Sequence, residues 1–195
     1  MTKSVALFLL CSLLLPRLGF GSDHDPNKVY KDLDEALKNK EHVYHLKLTR
    51  KRYREIPKEV FELTNLRTLN LKRNKIEEIP PQIARLKSLR ELNIMRNKLK
   101  KVAAELGQPQ HLEVLRLGVN DLEELPAELS QLHRLKVLSV WSNLIAHLPA
   151  EFVHLKNLEV VDLQQILHKK EEQAQIKKHL PEHTEIRLSP PCKCM

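Results

Sequence analysis

Hydrophobic residues recur along this chain with a step of 23. With Val43, Leu66, Leu89, Leu112, Leu135 and Leu158 as position 1, position 4 holds Leu46, Leu69, Leu92, Leu115, Leu138 and Val161. Position 6 holds Leu48, Leu71, Ile94, Leu117, Val140 and Leu163. Alternation about these two slots predicts a short strand with both aliphatics on one side. Position 11 (Tyr53, Ile76, Leu99, Leu122, Ile145) and position 14 (Ile56, Ile79, Val102, Leu125, Leu148) add further apolar slots. One such unit cannot bury its own leucines, so neighbours must stack, pairing their strands in a parallel sheet.

The polar positions predict how each unit turns. Position 9 is Asn74, Asn97, Asn120 and Asn143 in the inner repeats, with Lys51 and Ile166 in the outer two. An Asn amide has donors and acceptors for the backbone groups that a tight turn leaves unpaired. Position 15 is Pro57, Pro80, Pro126 and Pro149, with Ala103 in the third repeat. Proline there disfavours a regular helix and predicts an irregular or extended return on the convex side. Ala103, Gly107 and Pro109 break the pattern and predict either a looser turn in repeat 3 or a site there.

The ends read as caps. Residues 28–40 predict an amphipathic helix with Val29, Tyr30, Leu33, Ala36 and Leu37 on one side. Residues 169–179 predict a second helix, closed by Pro181, and 184–188 a final strand with Ile186 and Leu188 in positions 4 and 6 of a truncated unit.

Composition explains the repeat and excludes other classes. Of 195 residues, 37 are Leu and only four are Gly, while 42% are hydrophobic. That excludes disorder and collagen-like chains, and three Cys are too few for a disulfide scaffold. At the N-terminus, Lys3, the apolar run Val5 to Leu15, Pro16 and the small residues Gly19 and Gly21 have the layout of a secretory signal peptide cut before Ser22. The run is too short to span a bilayer. The expected division is a signal peptide at 1–21, an N-terminal helical cap at 22–42, six repeats at 43–165, a helix–strand cap at 166–189 and a disordered tail at 190–195. Cleavage near Gly21 leaves only Cys192 and Cys194, both in that tail.

The unit Leu66-x-x-Leu69-x-Leu71-x-x-Asn74-x-Ile76 is that of a leucine-rich repeat. With the leader, the Tyr30 to Leu37 cap, returns such as Leu125-Pro126-x-Glu128-Leu129-x-x-Leu132 and the finish Ile176 to Ile186, residues 28 to 188 resemble bacterial exported leucine-rich repeat proteins. The repeat is also similar to the Ras-suppressor class of intracellular scaffolds, which lack an export signal. The resemblance implies an α/β leucine-rich repeat solenoid with a curved parallel sheet on the concave face, an irregular convex side and helical caps. It further implies binding to macromolecules, commonly host or envelope components, and transfers no catalytic residue.

In such a solenoid, positions 3, 5, 7 and 8 point outward from the sheet. Their residues divide the face. The N-terminal half carries Lys47, Arg50, Lys72, Arg73, Arg96 and, just beyond, Arg116, against one acid, Glu91. The C-terminal half carries Val114, Val119, Val137, Val160 and Trp141, the only Trp. An exposed aromatic flanked by Met and Arg matches the make-up of interface hot spots. A protein partner is therefore expected on Trp141, Met95, Arg96, Arg116 and Val119, with Arg73, Lys72 and Arg50 beyond them. The basic half predicts an alternative, a polyanion or glycan. Nucleic acid is disfavoured, since no stacking aromatics accompany the basic residues.

The overall charge of +8 says less than this placement. Ten scattered His form no metal-binding motif, and Pro181 separates His179 from His183. No nucleophile–base grouping, phosphate loop or carboxylate pair stands out. A non-enzymatic, monomeric binding module without cofactor is expected, exported to the periplasm, cell surface or medium.

Overall fold

A computed structural model describes residues 25–166 and 175–189. The expected signal peptide, residues 169–174 of the expected C-terminal helix, and the tail with Cys192 and Cys194 lie outside the described residues. The strands, in chain order, are β1 Val29–Tyr30, β2 His45–Lys47, β3 Thr68–Asn70, β4 Glu78–Ile79, β5 Glu91–Asn93, β6 Lys101–Val102, β7 Val114–Arg116, β8 Val137–Ser139, β9 Val160–Asp162 and β10 Glu185–Arg187. Eight of them form one parallel sheet in the order β1-β2-β3-β5-β7-β8-β9-β10, and β4 pairs with β6 in a second.

Every step of the main sheet keeps the repeat register. Leu46 pairs with Leu69, Leu69 with Leu92, Leu92 with Leu115, Leu115 with Leu138 and Leu138 with Val161. The aliphatics at positions 4 and 6 are at most 1% exposed. Alternation puts both under the sheet, where positions 11 and 14 of the return segments close over them. The result is one continuous core along the stack.

The asparagine ladder does what its amide chemistry allows. Asn120 accepts from the N–H groups of Asn97 and Leu99 and donates to the carbonyls of Ile94 and Leu117. Asn74, Asn97 and Asn143 make the same kind of bridge into the preceding repeat. Each buried turn is satisfied by the next repeat's side chain, which ties the units together.

Two expectations need correction. The N-terminal cap is not one helix over 28–40: Val29–Tyr30 is a strand and the helix α1 spans only Leu33–Leu37. The outer edge of β2 would otherwise leave backbone groups unpaired, and β1 covers it through Val29↔His45 and Tyr30↔Leu46. Asp32, extended at φ −123°, caps the N–H of Glu35 at 3.1 Å and so starts the helix only at Leu33. The return segments hold no regular helix, as expected, and each contains one short 3-10 turn. Lys58–Glu62, Pro81–Arg85, Ala104–Gly107, Ala127–Gln131 and Ala150–His154 are 3-10 turns, each following the position-15 residue. Proline there is the N-cap, where its fixed φ suits an extended lead-in.

Finally, repeat 3 is tightly packed rather than loose. A Cβ on Gly107 would stand 2.3 Å from the Glu128 carbonyl oxygen, so only glycine allows the two turns to approach. At the far end, residues 175–178 are helical, and β10 pairs with β9 with Ile186 opposite Val161, the register expected for position 4. Among the described residues, no helix is long and apolar enough to cross a membrane.

Candidate recognition surface

Outside the core, the sheet presents positions 3, 5 and 7, followed at once by position 8. Position 8 has a conformation that the repeat pattern did not reveal. Arg50, Arg73, Arg96, Val119, Ser142 and Gln165 all have positive φ, between 53° and 59° for Ser142, Gln165, Arg96, Arg50 and Val119 and 61° for Arg73. A left-handed residue costs an L-amino acid about 1–2 kcal/mol, and a β-branched one is a marked outlier. Glycine is the usual occupant, yet none of the six is Gly. The turn swings the chain so that the next residue, the asparagine, points inward.

These residues are held firmly. The N–H of Arg50 donates to the Lys72 carbonyl, Arg73 to Met95, Arg96 to Gly118, Val119 to Trp141 and Ser142 to Gln164. The sheet ladder thus runs one step past the strands. Position 5 adds a second brace where it is Asn or Asp: the Asn70, Asn93 and Asp162 side chains accept from the N–H groups of Lys72, Met95 and Gln164.

Trp141 sits at position 7 of its repeat, and Gly118 occupies the same position one repeat earlier. The half-buried indole lies directly over that glycine. A Cβ at 118 would come within 2.4 Å of the indole Nε1 and 2.6 Å of Cδ1. Gly118 therefore serves as the seat of Trp141, with Met95 next in the same row. The repeat pattern puts Gly118 at position 7 of this face but does not disclose its role. The available signal was a single glycine among the face positions, one repeat before the single Trp.

The other expected residues separate into two groups. Arg50, Arg73 and Arg96 are exposed, Lys72 is partly covered, and Val119 lies half-buried at position 8 beside Arg96 in the row. Arg116 has a partner on the sheet itself. Its guanidinium pairs with Glu91 on the preceding strand, so its charge is compensated. Between β2 and β5, an open depression of about 430 Å³ is lined by Lys47, Thr49, Arg50, Asn70, Lys72, Arg73 and Asn93.

The opposite, β4–β6 side has a depression of about 590 Å³ whose lining is balanced, with Arg54, Lys100 and Lys101 against Glu55, Glu77 and Glu78. Among the described residues, no three His, Cys, Asp or Glu group as metal ligands. His179 donates from Nδ1 to the Leu148 carbonyl at 2.9 Å.

The Leucine rich repeat family profile matches residues 41–99. A leucine-rich repeat protein of Leptospira interrogans is 26% identical over 83% of this chain, with a TM-score of 0.51. The plant peptide hormone receptor RGFR1, solved in complex with RGF2, is 28% identical over 73% of this chain, with a TM-score of 0.60. The ectodomain of the Arabidopsis thaliana receptor kinase GASSHO1/SCHENGEN3, solved with CASPARIAN STRIP INTEGRITY FACTOR 2, is 30% identical over 62%, with a TM-score of 0.51. This chain spans 54% of the Leptospira protein, 24% of the RGFR1 chain and 15% of the GASSHO1/SCHENGEN3 chain. Among curated proteins none matches in sequence. With its in-register parallel strands and asparagine ladder, the chain has the fold of a leucine-rich repeat solenoid.

Proposed function

We propose that this chain is an exported, non-catalytic module that binds a protein partner on the concave sheet face, with Trp141 as its anchor. The observation that carries this reading is the indole of Trp141 seated on Gly118. An aromatic side chain held in place on a rigid sheet loses little freedom when a partner covers it, and such residues supply most of the energy at protein interfaces. Met95 and Val119, both partly exposed, extend the apolar ground around it. The two plant receptors, each solved with a named partner, support the reading by analogy of fold. Export rests on the layout of residues 1–21.

The test is capture of a partner by the immobilised protein, comparing the wild type with Trp141→Ala and with Glu77→Lys on the opposite side. Trp141→Ala is expected to weaken capture at least tenfold, the scale of a hot-spot truncation of about 2 kcal/mol. Glu77→Lys is expected to leave it unchanged. Equal capture by wild type and Trp141→Ala overturns the reading.

A further inference from the structure

The arginines at position 8 form a row that the Trp141 anchor does not use. Arg50, Arg73 and Arg96 occupy the same slot of three successive repeats, with φ of 59°, 61° and 57°. Their backbone N–H groups are pinned into the next repeat at 3.2, 3.0 and 3.0 Å. Successive guanidinium stems therefore start about 4.8 Å apart, the spacing of neighbouring strands. The left-handed turn is a requirement of the fold, since all six repeats have it, but arginine is not. Asparagine or glycine fits that conformation at lower cost. Three successive arginines in that slot set their charges in one row along the stack.

The charges are also uncompensated. No carboxylate among the described residues pairs with Arg50, Arg73, Arg96, Lys47 or Lys72, whereas Arg116, the next cation along, is paired with Glu91. Lys47, Arg50, Lys72 and Arg73 converge on the depression of about 430 Å³ between β2 and β5. Its remaining lining, Thr49, Asn70 and Asn93, is polar and uncharged. Nothing apolar is exposed there to form the dry centre that a protein interface needs. A ligand held here draws its affinity from charge and repeats along the stack.

We propose that Arg50, Arg73 and Arg96, with Lys47 and Lys72, form a rail for a linear sulfated glycan. The planar guanidinium fork matches the oxyanion geometry of a sulfate group in two hydrogen bonds. A row at constant spacing suits a polymer with an anion on each unit. This site is independent of the Trp141 anchor and stands whether or not that reading holds.

The experiment measures binding of heparin to the protein over a series of salt concentrations. The test variant is Arg50→Asn/Arg73→Asn/Arg96→Asn, which removes the charges while keeping residues that accept the left-handed turn, so the fold is retained. It is expected to lose at least tenfold in affinity and to show a shallower dependence of log Kd on log salt. Trp141→Ala and Lys100→Asn/Lys101→Asn are expected to bind heparin as the wild type does. Heparin binding undiminished in the triple variant overturns the proposal. So does equally tight binding of a polyglutamate peptide at the same arginines, which makes the row a site for acidic protein.

Discussion

Trp141 rests on Gly118: the indole occupies the space in which any larger residue at 118 would place its Cβ, 2.4 Å from Nε1. The pairing crosses two repeats and exists only because both strands hold their register. Gly118→Ala must push the indole off the sheet. The expected outcome is a small loss of stability, below about 1 kcal/mol because the half-buried indole can swing aside, with a red shift of the emission from the single Trp. A thermal melt and a fluorescence spectrum check it; wild-type values in both contradict the contact.

Val119 has φ of 59°, a conformation that a β-branched side chain resists. Val119→Asn is expected to stabilise the protein by about 1 kcal/mol, because Asn enters the left-handed region readily. The Val119 N–H to Trp141 carbonyl bond is unaffected by the exchange. Urea denaturation of the two proteins measures the difference, and a loss of stability would contradict the assignment of strain.

Asn120 bridges two repeats through four backbone partners. Asn120→Ala leaves several buried groups unsatisfied, each costing about 1–3 kcal/mol. A loss of roughly 3 kcal/mol or more is expected in a urea melt. Lys51, which holds the same position in the first repeat, is exposed, and Lys51→Ala is expected to change stability by less than about 0.5 kcal/mol.

These substitutions mark what the sequence could and could not disclose. The 23-residue step placed Leu69, Leu92 and Leu115 in the core and in register, because burial of aliphatics has a strong periodic signature. The Asn slot was equally legible, since few side chains can satisfy both N–H and C=O of a turn. Two features were hidden. The left-handed φ at position 8 leaves no trace when Arg, Val, Ser and Gln fill it in place of Gly. The Glu91–Arg116 pair depends on which neighbour a long side chain chooses, which spacing alone does not decide. The strand at Val29–Tyr30 was missed for a third reason. Its partner is the open edge of β2, a tertiary demand that overrides the helical pattern of residues 28–40.

A pH effect is expected at Glu113. Hydrogen bonding to Lys136 at 3.0 Å, aided by the charges of Lys136, Arg90 and Arg134, lowers its pKa from the ordinary 4.5. A carboxyl whose folded pKa is depressed contributes stability above its unfolded pKa and loses it as pH falls through the folded value. Glu113→Gln is therefore expected to be slightly less stable than wild type at neutral pH and equal to it well below pH ~4. Urea midpoints at the two pH values decide; a difference that grows on acidification would contradict the pairing.

The most direct test of recognition at this face uses the single Trp as its own reporter. Acrylamide quenching of Trp141 is measured for the free protein and for its complex with a captured protein partner. A partner docked on the concave face covers the indole, so quenching is expected to fall severalfold with a blue shift in emission. A complex that forms fully while quenching and emission stay at their free values places the partner elsewhere and contradicts Trp141 as the anchor.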